Sequence, residues 1–83
     1  MKYKAEIDVM PLEALLDPQG KAVTNSMSNL GLPEIEGVRI GKHIRLFIDA
    51  ENLNIAEEKV NEACKKILSN QIMESYTFSL SEV

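Results

Sequence analysis

Any chemistry of this chain's own would have to be built from one histidine, one cysteine and a scatter of serines and acids. Cys64 is the only thiol, which rules out both an internal disulfide and the paired cysteines of a metallochaperone. It falls on an apolar helical stripe, where a free cysteine behaves as a small buried hydrophobe. An unpaired thiol also suits a reducing compartment. His43 stands beside a Gly41-Lys42 turn. General acid–base catalysis needs a hydrogen-bonded partner and a cleft that excludes water, and a turn supplies neither. His43 therefore reads as a solvated or interface residue. None of Ser26, Ser28, Ser69, Ser75, Ser79 and Ser81 has the glycine-flanked pattern of a nucleophile elbow. Glu57, Glu58 and Glu62 read as a solvated helix face. These residues predict no catalytic group, no metal ligand and no cofactor.

Recognition chemistry is excluded on similar grounds. The net charge is −4, whereas binding to phosphate backbones needs a basic stripe. Base stacking needs exposed aromatics on a sheet, and only Phe47 has the phase for that. The segment Met10-Pro11-Leu12-Glu13-Ala14 contains an acid and no arginine, so it would repel a phosphate. No run approaches the roughly 20 apolar residues of a membrane-spanning helix. Met1 to Ile7 alternate apolar and polar, which predicts no secretory leader. The expectation is a soluble cytoplasmic protein with no nucleic-acid or membrane partner.

The elements that must position these residues follow from periodicity. Tyr3, Ala5, Ile7 and Val9 alternate with Lys4, Glu6, Asp8 and Met10, the pattern of a strand with one buried face. Asp17-Pro18 then opens a helix, with Asp17 as its cap and Pro18 where no amide donor is needed. Val23, Met27 and Leu30 lie on one face of it. Gly31, Leu32 and Pro33 end it. Val38 to Ile48 reads as a hairpin turning near Gly41-Lys42, with Ile44, Leu46 and Ile48 in one phase and Phe47 in the other. A second helix starts near Asn54, with Asn54 and Glu57 as a capping box. Its stripe is Ala56, Val60, Ala63, Cys64 and Ile67, and Asn70 is its stop. Tyr76, Phe78 and Leu80 mark a last strand.

The order β-α-β-β-α-β predicts an α+β, ferredoxin-like fold. It would have a four-stranded antiparallel sheet and two helices on one face, with residues 1–83 as a single domain. The other face would carry Lys4, Glu6, Asp8, Arg45, Phe47, Asp49, Thr77 and Ser79. A chain of 83 residues buries only roughly 60–65% of its surface and is marginal alone. Two classes of function survive. One is an assembly subunit. The other is an amino-acid-sensing regulatory module of the same topology, which would bind its effector at the Pro11–Gly20 loop with Asp17 and Gly20.

Several segments in order resemble the PurS family, the small subunit of phosphoribosylformylglycinamidine synthase. They are Leu16-Asp17-Pro18-Gln19-Gly20-Lys21-Ala22-Val23, then Leu30-Gly31, then Val38-Arg39-Ile40-Gly41-Lys42, and finally Ile67-Leu68-Ser69-Asn70-Gln71-Ile72-Met73-Glu74-Ser75-Tyr76. Gln71 and Ser75 depart from the proline and aspartate common in the family, and Ser26-Met27-Ser28 makes the first helix more polar. The resemblance implies an accessory subunit in purine biosynthesis. It would form a homodimer or homotetramer and help join a glutaminase subunit to an ATP-dependent synthetase subunit, so that ammonia passes between them.

Two surfaces are candidates for such contacts. Arg39, Lys42, His43 and Arg45 form a local basic cluster on an acidic chain, with Phe47 close by. Strand edges and charge could serve self-association or docking there. Asp17 and Gln19, in the Asp17–Gly20 segment, make the second candidate.

Overall fold

The computed structural model describes residues 1–83. Strand β1 (Lys2–Pro11) leads to helix α1 (Pro18–Met27), which tightens into a 3₁₀ turn over Ser28–Leu30. Strand β2 (Lys42–Asp49) follows, then helix α2 (Leu53–Ala63), which widens into a π turn over Cys64–Leu68. Strand β3 (Glu74–Glu82) completes the chain. The architecture is α+β, with two helices and a three-stranded sheet in the order β2-β1-β3. Both pairings are antiparallel.

β1 is the central strand, and its apolar phase is the core. Tyr3, Ala5, Ile7 and Val9 are buried, as are Ala56, Val60 and Cys64 from α2. Ile44, Leu46 and Ile48 on β2, and Tyr76, Phe78 and Leu80 on β3, flank this core but are only partly buried. One helix thus covers the centre of a three-stranded face and leaves its margins thin.

Two expectations about the architecture need correction. The sheet has three strands, because Val38–Gly41 forms no strand of a hairpin. Its amides are engaged elsewhere: Val38 donates to Thr24 Oγ1 (3.1 Å) and Ile40 to Asp17 Oδ2 (2.9 Å). A strand needs those donors for its ladder. Gly41 lies where β2 begins beside β1. A side chain there would collide with the Val9 carbonyl and with Met10.

The second correction concerns α1, which does not lie on the sheet. No α1 residue belongs to the hydrophobic cluster, and Gly20 is its only buried residue. Val23 and Met27 are half-buried, and Leu30 is exposed. Helix α1 stops as its sequence predicts. Gly31 takes the left-handed conformation (φ 80°) and the Leu32 amide returns to the Met27 carbonyl. The cap of α2 is Asn52, two residues before the predicted one, accepting from the Ile55 amide.

The result is a long, open chain. It measures 52 × 26 × 14 Å, with a radius of gyration of 16.5 Å. A compact chain of 83 residues has a radius near ~12 Å. Its accessible surface is 5941 Å², against about 5,000 Å² for a compact monomer of its mass.

Candidate interaction site

The face of the sheet opposite α2 is a charge ladder set by register. β1 aligns Glu6 with Arg45 and Asp8 with His43 across β2, and with Ser79 and Thr77 across β3. Arg45 Nε donates to Glu6 Oε1 at 2.6 Å. The His43 ring lies between two carboxylates, with Nδ1 2.7 Å from Asp8 Oδ1 and Nε2 against Glu6 Oε2. Lys4 Nζ stands 3.8 Å from Glu6 Oε1. The hydrogen bonds to Asp8 and then Glu6 hold the His43 pKa above its ordinary value. Those from His43 and then Arg45 hold Glu6 below the usual carboxylate range. Protonated His43 donates from both ring nitrogens and ties β2 to β1.

The predicted basic cluster is therefore divided. His43 and Arg45 are paired with acids of the neighbouring strand. Arg39 is turned away onto the β1–α1 loop, where it donates to the carbonyls of Leu12 (2.8 Å), Leu15 (3.3 Å) and Pro11 (3.4 Å). Lys42 makes no ion pair and is exposed. Phe47 is 57% exposed, aligned with Lys4 and, beyond it, Ser81. With Met10, it is one of two apolar side chains exposed on a largely polar, internally neutralised face.

Asp17 is the one buried charged residue. Its Oδ1 accepts from the Gly20 amide (3.0 Å) and its Oδ2 from the Ile40 amide. These bonds, that of Ile40 first, hold its pKa below the ordinary carboxylate value. Gln19 is exposed on the first turn of α1. It lines a cavity of about 370 Å³ with Pro11, Leu15, Leu16, Asn70 and Met73 among others. The sensing alternative would place its effector at Asp17 and Gly20 of this loop. Here the Asp17 carboxylate is occupied by backbone amides. Gly20 is packed so close to the Val38 carbonyl that no side chain would fit.

The arrangement favours contact over chemistry. No three His, Cys, Asp or Glu residues converge on a point that could hold a metal ion. The Cys64 thiol is buried, and burial pushes its pKa up, away from the reactive thiolate. What the surface offers is apolar area. Leu16 (72%), Leu30 (68%), Ile67 (80%) and Ile72 (83%) are largely exposed. Sequence reasoning missed this uncovered area on Leu16, Ile67 and Ile72. Ile67, expected on the α2 stripe, is turned outward where the helix widens into the π turn over Cys64–Leu68, and Leu68 packs against the core instead.

Three comparisons bear on identity. The family model PurS, described as phosphoribosylformylglycinamidine (FGAM) synthase, matches residues 4–82. The chain is 36% identical over 81 residues to the phosphoribosylformylglycinamidine synthase subunit PurS of Bacillus subtilis, covering 98% of this chain and 95% of that one. The crystal structure of Bacillus subtilis PurS superposes with a TM-score of 0.87 at 35% identity, covering 96% of this chain and 99% of that one. A chain in the structure of PurLQS from Thermotoga maritima superposes with a TM-score of 0.88 at 30% identity, covering 98% and 99%.

Proposed function

The chain belongs to the PurS family of phosphoribosylformylglycinamidine synthase subunits, and from that premise we propose that it is a non-catalytic accessory subunit that joins a glutaminase to an ATP-dependent synthetase. The parent reaction uses glutamine and ATP to convert formylglycinamide ribonucleotide to its amidine in purine biosynthesis. Ammonia released by one subunit must reach the other without escaping to water. A small rigid piece docked against both holds their active sites in register and needs no reactive group.

One observation carries this reading: the chain exposes about 900 Å² more surface than a compact monomer of its mass. That excess is close to the roughly 800 Å² that each partner loses in a standard protein–protein interface. Its most exposed apolar side chains are Leu16 in the loop before α1, Leu30 in the 3₁₀ turn after it, Ile67 in the π turn of α2 and Ile72 before β3. We read the chain as one domain, a ferredoxin-like unit short of its outer strand, working in the cytoplasm. None of its helices is long and apolar enough to cross a membrane.

We also propose that it self-associates, as a homodimer or a dimer of dimers. Each chain carries a helix without a sheet under it, and a sheet margin (Ile44, Leu46, Ile48) without a helix over it. Phe47, Lys42 and Gln19 are the predicted site residues free to meet a partner. Arg45 and His43 would meet one only as a neutralised ladder. Arg39 and Asp17 would act from beneath the surface.

Light scattering on mixtures tests the assembly. This chain, a PurS-dependent glutaminase and its synthetase should give one species containing all three. Co-elution of the two large subunits without this chain, and with no change on adding it, would reject the reading. A thermal shift with free amino acids in the absence of assembly would favour the sensing alternative.

A further inference from the structure

The sheet ends on two unlike edges. β1 pairs with both neighbours, so the outer sides of β2 and β3 are open. Along an antiparallel strand, successive residues point their backbone groups to opposite sides. The Val83 amide donates to the Lys2 carbonyl and the Leu12 amide to the Met73 carbonyl, each at 2.9 Å. With the β1–β3 register, these bonds fix the phase. Thr77 and Ser79 turn their backbone groups to β1, whereas Tyr76, Phe78 and Leu80 turn theirs outward with no strand to receive them. The β2 edge is guarded by charge, since Lys42, His43, Arg45 and Asp49 lie along it. The β3 edge is not. From Ser75 to Leu80 it holds no charged residue, proline or glycine. At nine residues and about 30 Å, it is an unguarded template for another strand.

A groove runs beside that edge. Glu57, Glu58 and Asn61 of α2 and Phe78 of β3 line a cavity of about 250 Å³. Phe78 stands on the α2 side of the sheet and is only partly covered by the core. Tyr76 stacks against it with ring centroids 6.4 Å apart, and the Tyr76 hydroxyl donates to Asn61 Oδ1. Glu57 and Glu58 are exposed and enter no ion pair, whereas Glu62, one turn on, is paired with Lys66 at 2.5 Å. The groove thus has an aromatic floor and an unneutralised acidic wall.

We propose that the β3 edge is a docking site for an extended, basic segment of a different protein, which adds a strand beside β3 and sets a lysine or arginine over Phe78 against Glu57 and Glu58. This rests on the bridging role proposed above and names one surface that performs it. The outward amides and carbonyls of Tyr76, Phe78 and Leu80 supply the backbone hydrogen bonds. Every second side chain of the added strand falls on the α2 side. The one opposite Phe78 has an aromatic ring beneath its stem and two free carboxylates at its head, which is the setting for a cation on an aliphatic stem. A second copy of β3 fits badly. Antiparallel pairing that uses the whole strand centres on Phe78 and sets Glu74 against Glu82 at both ends. Like charges facing across strands destabilise the pair. Such pairing would also bring four free glutamates to one side and no cation. A basic segment from another chain meets the same groove with the opposite charge.

Two measurements on the full chain test this, with and without the glutaminase and synthetase subunits. The first is hydrogen exchange read residue by residue. In the chain alone, the amides of Tyr76, Phe78 and Leu80 should exchange fast and those of Thr77 and Ser79 slowly. In the complex, the three outward amides should slow roughly tenfold or more, so that the alternation disappears. The second is the affinity of a variant carrying Glu57→Lys and Glu58→Lys for the two subunits together. Both positions are exposed, so the variant should fold and self-associate as the wild type does. It should bind roughly tenfold or more weakly, and added salt should weaken it less than the wild type. Alternation that persists in a formed complex, or an unchanged affinity of the variant, would overturn the docking site. Alternation lost in the chain alone as its concentration rises would give the edge to a second copy and overturn it too. A chain that joins neither subunit would remove the bridging role itself, and this site with it.

Discussion

The cost of truncating Leu46 should depend on protein concentration, and the cost of truncating Ile7 should not. Ile7 sits at the centre of β1 with no exposed surface. Cutting it to alanine removes apolar contacts and leaves a cavity, a loss of about 2–5 kcal/mol. A domain of 83 residues has a net stability of about 4–12 kcal/mol, and a core of seven buried apolar residues places this chain near the lower end. Ile7→Ala should therefore cost about half the stability or more, by the same amount at any concentration. Leu46 is half-covered in the single chain, so Leu46→Ala should cost about 1 kcal/mol there, a partial share of one buried side chain. In the associated form, where a second copy covers it, the cost should rise toward that of Ile7→Ala. Urea unfolding followed by circular dichroism, at low and at high concentration, measures both. If Leu46→Ala costs as much as Ile7→Ala in dilute solution, or costs the same throughout, the argument that the sheet margin awaits a partner is wrong.

Three further outcomes follow from single residues. His43 has a raised pKa in the folded chain, so its stabilising strap is complete below the unfolded value of 6.5 and is lost as pH rises through the higher folded value. Glu6 is shifted down, so its share is present above 4.5 and is lost as pH falls through its lower folded value. Melting temperature should therefore fall as pH rises above 6.5, and His43→Gln should flatten that slope; an unchanged slope would remove the strap. Asn52→Ala deletes the cap of α2 and should cost about 1 kcal/mol, a fall of about 4–8 °C in Tm for a domain of this size. The buried Cys64 thiol should react slowly with an alkylating reagent in the folded chain and at the ordinary rate in urea. Fast labelling without denaturant would mean that the α2–sheet contact opens readily.

The sequence made local structure legible and left long-range pairing hidden. The buried phase of β1 could be read because alternation is a property of neighbours. The end of α1 could be read because Gly31 and Pro33 act within one turn. The Val38–Gly41 segment looked like a strand because its residues are β-formers, but its amides are taken by Asp17 and Thr24 from far along the chain. Likewise, Arg39, Lys42, His43 and Arg45 looked like a basic patch because they are close in sequence. The register that sets Glu6 and Asp8 against them is not written locally. Asn54 and Glu57 have the spacing of a capping box, yet the cap of α2 is Asn52, whose backbone is extended and whose side chain accepts from the Ile55 amide. The stripe on α1 said that this helix wants cover without saying whose, so it was placed on its own sheet.

The bridging role itself is best tested by comparing two nitrogen sources in one assay. With ammonium salts, the synthetase subunit should form the amidine product at the same rate with or without this chain. With glutamine, product should appear only when the glutaminase, the synthetase and this chain are all present. Equal glutamine-dependent rates in its absence would contradict the account.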